Sequence, residues 1–234
     1  MLQGIDKVHP HKPKVRNAVT VQMLPHIFKR INEVIDNEYD QLLYKAVMSL
    51  MVHSLVRPCE ILSTSQYKMD STQQLLPGAL SFRRDKVTLR LILDVVLKRR
   101  KTSKNAEVTL PPLVQNYTET CPVMNMSTFL TLRERVYHPQ QPVFILASGH
   151  YVSRQSITDF IKLVAPNDGV TAGWSSYGTR IGGTTSLAAI DCTTEYIKQK
   201  GGWKGDTYLR YVSGYNPEYD VGVQHRLAAS GGNL

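Results

Sequence analysis

The chain has 234 residues, 42% hydrophobic and 20% charged, which is ordinary for a globular protein of one large domain or two small ones. Lysine and arginine exceed aspartate and glutamate by 28 − 19 = +9, so a polyanion is the first partner to consider, either nucleic acid or an acidic membrane surface. No apolar run approaches the ~18 residues of a membrane span, and the opening stretch lacks the apolar core of a signal peptide.

That stretch, residues 1–19, is expected to be a basic interdomain linker, since Pro10 and Pro13 discourage helix. A helix is expected to start near Pro25 and run to Asn37, with Ile27, Phe28, Ile31, Val34 and Ile35 as its apolar positions. The next segment, "EYDQLLYKAVMSLMVHSLV", is apolar on most sides and predicts a buried helix over 38–56. Pro58 then suits a further helical first turn. Between 79 and 111 the period changes. "ALSF", "KVTLRLILDVVLK" and "AEVTLP" are rich in Val, Leu, Ile and Thr, and turn-like "RRD" and "RRKTSKN" separate them. This predicts a small antiparallel sheet whose last connection is a basic hairpin tip carrying Lys98, Arg99, Arg100, Lys101 and Lys104. The remainder predicts helices over about 119–137, 153–165, 177–190, 193–200 and 206–213, with an extended stretch or loop at "PVFILASGHYVS". The fold class is α+β, mainly helical, with residues 20–234 as one domain.

Three cysteines, Cys59, Cys121 and Cys192, are widely separated and form no CxxC pair, which points to a reducing compartment. The seven histidines show no metal spacing, so no metal or other cofactor is expected. The chemistry concentrates in separated segments. "LVRPCEIL" holds Arg57 with Glu60 three residues on, "KTSKNAEVTLP" places Lys101 in a turn between strands, and "SSYGTRIGGTTSLAAIDCTTEYIKQKGGWKGDTYLRYV" holds Tyr177, Arg180, Trp203 and Tyr211.

In order and spacing these segments resemble the catalytic domain of the tyrosine recombinases, the integrase family that includes phage integrases, Cre and Xer recombinases. The final segment is most similar to the branch found in eukaryotic mobile elements of the DIRS and Crypton kinds. The resemblance spans about residues 20 to 215. It implies that Arg57 and Arg180 are the two catalytic arginines, Glu60 the usual acidic neighbour and Lys101 the lysine of the strand-to-strand turn. It further implies that Trp203 fills a position that is His or Trp in the family, and that Tyr211 is the nucleophile. Tyr177 stands where the family has the histidine of its H-x-x-R box. A phenol of pKa ~10 does not readily accept a proton at neutral pH, which leaves Tyr177 as a hydrogen-bond donor to phosphate.

The residue chemistry agrees with the resemblance. Attack on a phosphodiester concentrates negative charge on the non-bridging oxygens, which two guanidinium forks can clamp without a metal. The indole N–H of Trp203 is a donor only, which suits a phosphate oxygen. A lysine on a hairpin can protonate the departing 5′ oxygen. A tyrosine nucleophile keeps the bond energy in a 3′-phosphotyrosyl link, so strands rejoin without ATP. Plainer roles stand beside these: Glu60 as an i, i+3 ion pair for Arg57, Lys98 or Lys104 as the acid, Tyr208 as core, and Trp203 as packing beneath the tyrosine helix.

The resemblance implies site-specific cleavage and rejoining of double-stranded DNA, as in integration, excision or transposition, by a homo-oligomer, a tetramer, on DNA. The alternatives are a non-catalytic DNA-binding protein derived from a mobile element and a type IB topoisomerase-like activity. The family's amino-terminal DNA-clamping domain is expected to be absent. The expected location is the nucleus in a eukaryote and the cytoplasm otherwise, with no secretion and no membrane partner.

Overall fold

The computed structural model describes residues 16–68, 74–98, 100, 107–165 and 172–212. Helix α1 spans Leu24–Val34 with Pro25 in its first turn, where a missing N–H costs nothing. Its buried positions are Leu24, Ile27, Phe28 and Ile31, one helical face. Helix α2, Glu38–Ser54, starts at Asn37, whose side chain accepts from the Asp40 N–H at 3.1 Å. From Ala46 to Val52 every residue of α2 is buried, so it forms the central post of the molecule. It packs against helices α4, Pro122–Arg133, and α6, Gly178–Ala189. The short α3 spans Pro58–Ile61.

The sheet is antiparallel. Strand β1, Leu80–Arg84, pairs with β2, Leu91–Leu97, in the register Leu80↔Val95, Phe82↔Leu93 and Arg84↔Leu91. On its other edge β2 pairs with β3, Val108–Thr109, and with β4, Leu113–Val114. The long strand expected from "KVTLRLILDVVLK" starts only at Leu91. Asp85 Oδ1 accepts from the N–H groups of Val87 (2.7 Å) and Thr88 (3.1 Å), and Leu89 turns with a φ of 57°, so residues 86–90 form a turn instead.

Helix α5 spans Arg154–Val164, capped by the Ser153 side chain on the Ser156 N–H. Helix α7 spans Thr194–Gly201, and a 3₁₀ turn over Asp206–Tyr208 leads into α8, Leu209–Val212. The tertiary arrangement is the mainly helical α+β architecture expected. Residues 17–19 lie along α6: the Val19 N–H donates to Gly178 O at 2.9 Å, and Val19 is fully buried. Two adjacent glycines permit that closeness. A β-carbon on Gly182 would run into Val19 O, and one on Gly183 would run into Val52 O of α2. A small satellite core of Leu55, Ile197, Trp203 and Tyr208 sits beneath α8 and places the site at this end of the fold.

Candidate active site

Leu55, in the left-handed region at φ 55°, ends α2 and turns the chain so that Arg57 becomes the N-cap of α3. Glu60 closes that turn from inside. Its Oε2 accepts from the Arg57 N–H at 2.8 Å while its Oε1 accepts from Arg57 Nη1 at 2.8 Å. One carboxylate therefore caps the helix and fixes the Arg57 guanidinium, which is the i, i+3 ion pair expected of Glu60. The pair is nearly enclosed, at 14% and 4% side-chain exposure, so its attraction is little screened.

Arg180 enters from the first turn of α6 and is fully buried. Its Nη1 donates to Leu55 O and its Nη2 to Gly201 O, the latter at 2.7 Å. The guanidinium lies over Trp203, 4.0 Å from the ring centroid, and 5.4 Å from the ring of Tyr211. Trp203 thus meets Arg180 through its face. It also packs 4.9 Å from Tyr211 and 6.5 Å from Tyr208, centroid to centroid. Tyr208 is buried in the satellite core, as its helical face suggested. Gly202 holds a φ of 69° at the end of α7, which releases the chain into the Trp203 turn.

Tyr211, half-buried on α8, hydrogen-bonds through its hydroxyl to the hydroxyl of Tyr177, the N-cap of α6. The two rings lie 5.6 Å apart and Arg16 covers the Tyr177 ring at 5.3 Å. Burial, reinforced by the bond to Tyr211, pushes the Tyr177 phenol up to about 12, so at neutral pH it carries its proton. Burial first, and then the Arg57 charge, push Arg180 down to about 10, so it stays cationic at neutral pH.

Sequence reasoning missed Arg100, which it assigned to a solvated hairpin tip. The residue is only 3% exposed. Its Nε lies 3.7 Å from Glu60 Oε1, and its Nη2 donates to Lys200 O at 3.4 Å. Burial lowers its pKa; Glu60 pulls it back up and Arg57 pushes it further down. The alternation of β2, with Leu93, Val95 and Leu97 inward, gives no signal for position 100. Lys101, Lys104 and Arg99 lie outside the described residues. Five of the six expected site residues therefore converge, namely Arg57, Tyr177, Arg180, Trp203 and Tyr211, with Glu60 and Arg100 among them.

Arg57 and Arg100 thus hold one carboxylate, Glu60, and the fully buried Arg180 lies close enough to feel the charges of all three. The Nε atoms of Arg100 and Arg180 are buried without a hydrogen-bond partner. The Arg100 Nε faces the Glu60 carboxylate at 3.7 Å, and the excess of buried positive charge over that one carboxylate suits an anion nearby. A cleft of about 510 Å³ is lined by Arg57, Cys59, Arg154, Thr158, Ser176 and Tyr177, so Arg57 and Tyr177 are the expected site residues that border it. A larger groove of about 810 Å³ carries Asp40 and Asp159 instead and holds none of the expected site residues. Among the described residues no His, Cys, Asp and Glu cluster is arranged to hold a metal, and no helix is long and apolar enough to cross a membrane.

No protein-family model matches the chain, and no curated protein matches it by sequence. Solved structures do match. The XerH site-specific recombinase bound to its difH substrate superposes with a TM-score of 0.56 at 13% identity, over 89% of this chain and 53% of that one. The lambda integrase dimer bound to a COC′ core site gives a TM-score of 0.54 at 12% identity, over 89% and 51%. The Tn1549 transposon integrase in complex with circular intermediate DNA gives 0.52 at 11% identity, over 95% and 71%. The chain spans about half the length of the XerH and lambda integrase chains that it matches. At these identities the likeness is one of architecture, and this chain has the fold of a tyrosine-recombinase catalytic domain.

Proposed function

We propose that the chain cleaves and rejoins double-stranded DNA through Tyr211, as a tyrosine recombinase of a mobile element. The observation that carries this reading is the placement of the Tyr211 ring against Arg180, beside the Arg57 and Arg100 pair that holds Glu60. The likeness of fold to recombinases solved on DNA supports the substrate class. In the cleavage step the phenolic oxygen of Tyr211 attacks the phosphorus and its proton passes to solvent water. The bond from phosphorus to the 5′ oxygen breaks, and that oxygen takes a proton, for which Lys101 is the assigned donor. Arg57 and Arg180 stabilise the charge on the non-bridging oxygens, and Tyr177 donates a hydrogen bond. The 3′-phosphotyrosyl ester is then attacked by a 5′ hydroxyl to rejoin the strand.

The mobile-element setting rests on the "RIGGTTSLAAIDCTTEYIKQKGGWKGDTYLRYV" segment, and assembly as a tetramer on DNA on the same resemblance. Work on chromosomal or element DNA places the protein in the nucleus of a eukaryote or the cytoplasm of a prokaryote.

The test is incubation with a nicked duplex, whose cleaved end diffuses away and traps the covalent protein–DNA adduct. The parent accumulates adduct, and Tyr211→Phe forms none while binding DNA with nearly unchanged affinity, because one hydroxyl is lost and the basic surface remains. Adduct loss with Tyr208→Phe instead would reassign the nucleophile. A second reading, DNA binding without cleavage, draws on Arg180, whose two terminal nitrogens are spent on Leu55 O and Gly201 O. Under that reading the parent binds DNA and yields no adduct. Adduct formation with plasmid relaxation and no defined crossover products marks a topoisomerase.

A further inference from the structure

Arg100 and Arg133 are both buried arginines, and they differ in what they hold. Arg133 spends its Nε and Nη2 on carbonyls of the loop that follows α4, those of His138, Gln141, Pro142 and Val143, and touches nothing in the site. Arg100 reaches the two groups that hold the site together. One is the Glu60 carboxylate, whose Oε1 also accepts from Arg57. The other is the end of α7, where Lys200 O accepts from Arg100 and the next carbonyl, Gly201 O, accepts from Arg180. Gly202 packs directly on the Arg100 guanidinium, with no room for a β-carbon between them, and leads into Trp203.

We propose that Arg100 is a positioning residue for phosphoryl transfer, fixing Arg57 through Glu60 and fixing Arg180 and Trp203 through the Lys200–Gly202 turn. The proposal rests on the reading of this cluster as the site of the scissile phosphate. With Arg100 in place, Glu60 is held from both sides, and the Arg57 fork keeps one direction toward the cleft. Without it, Glu60 answers to Arg57 alone and the turn loses its contact with α3. Reacting groups displaced by about 1 Å are slowed on the order of 100-fold, so a support of this kind is read in the rate of the chemical step.

The experiment measures adduct formation on a nicked duplex, DNA affinity against salt, and thermal melting for the parent and for Arg100→Met, Glu60→Gln and the double variant. The Met variant is expected to form adduct on the order of 100-fold more slowly while the salt slope of binding stays that of the parent, since a lost phosphate contact would reduce the slope by about 1. In the Glu60→Gln background the same change is expected to cost only a few-fold, because the two residues act as one unit. Arg100→Lys keeps the charge but not the fork, and it is expected to be slow as well; it decides the question if the Met variant fails to fold. Met and Lys variants that react within a few-fold of the parent, a reduced salt slope, or fully additive losses would each overturn the proposal.

A parent that forms no adduct defeats the reading of the reaction and leaves Arg100 to be decided by a measurement without turnover. Inorganic phosphate is titrated into protein labelled at the arginine nitrogens, and the Arg57 Nε–H resonance is followed. It is expected to shift in the parent and much less in Arg100→Met. Equal shifts in both proteins overturn the proposal.

Discussion

The hydroxyls of Tyr177 and Tyr211 share one hydrogen bond, so one donates and the other accepts. Tyr177, pushed up to about 12 by burial, carries its proton at neutral pH. It can therefore donate to a phosphate oxygen or to the Tyr211 oxygen but cannot serve as a base. Tyr177→Phe is expected to slow adduct formation by a factor of about 2 to 10, the worth of one neutral hydrogen bond of ~0.5–1.5 kcal/mol. Tyr177→His is expected to keep or raise the rate and to add a titration near ~6.5, seen as a break in the pH–rate profile that the parent lacks. A folded but inactive His variant would give Tyr177 a packing role. The same residue marks stability. Its pKa is raised on folding, so above the unfolded value of ~10 the unfolded chain ionises first, and Tyr177's part of the stability drains away as pH rises toward about 12. Arg180, lowered to about 10, acts in the opposite sense above that pH, where its desolvation cost is relieved. Urea unfolding of the parent and the Phe variant between pH 9 and about 12 separates the two, since only the Tyr177 contribution disappears in the variant.

Helix α6 carries both Arg180 and Tyr177, and its place depends on two residues with no side chain. Gly182 lets residues 17–19 cross it, and Gly183 lets it touch the backbone of α2 at Val52. Gly183→Ala is expected to destabilise the fold by about 1–3 kcal/mol or more, because a backbone carbonyl cannot yield as a side chain can. The loss is read as a lower urea midpoint with an unchanged m-value. The "IGGTTSLAAI" string signalled close packing through its small residues, and the apolar spacing of α1 and the largely apolar α2 were equally legible. Short elements held by long-range partners were not. β4, Leu113–Val114, follows Pro111 and Pro112 and exists because β2 offers it an edge. Arg100 sits in a run of cations that composition assigns to solvent, and only the fold brings Glu60 and the end of α7 to it. Of the site, the residues carried by ordered motifs were readable in the sequence. The donor that braces them was not, since nothing local in its sequence marks it as buried.

For the whole molecule, the excess of +9 would be a weak signal if the charge were spread evenly. It is not. The cleft of about 510 Å³ bordered by Arg57 and Tyr177 also bears Arg154 and no carboxylate, while the larger groove bears Asp40 and Asp159. The two clefts adjoin, sharing Thr64 and Gln155, so a polyanion that reaches this surface is expected to favour the Arg57–Arg154 side over the Asp40–Asp159 side. Each lysine or arginine that meets a phosphate releases condensed counterions, so log affinity for duplex DNA is expected to fall linearly with log salt, by ~0.9 per phosphate contact. Should the protein cover the 6–10 phosphates of an ordinary site, affinity drops about 10³- to 10⁵-fold between 50 and 200 mM salt. Arg154→Ala, which removes an exposed cation from the mouth of the cleft, is expected to lower the slope by about 1, whereas the buried Arg100 leaves it unchanged when replaced. A flat profile from low to moderate ionic strength would contradict a DNA partner and favour an acidic protein. A steep profile that Arg154→Ala leaves untouched would place the DNA backbone away from this cleft and would argue against Arg57, which borders the same cleft, as its phosphate clamp.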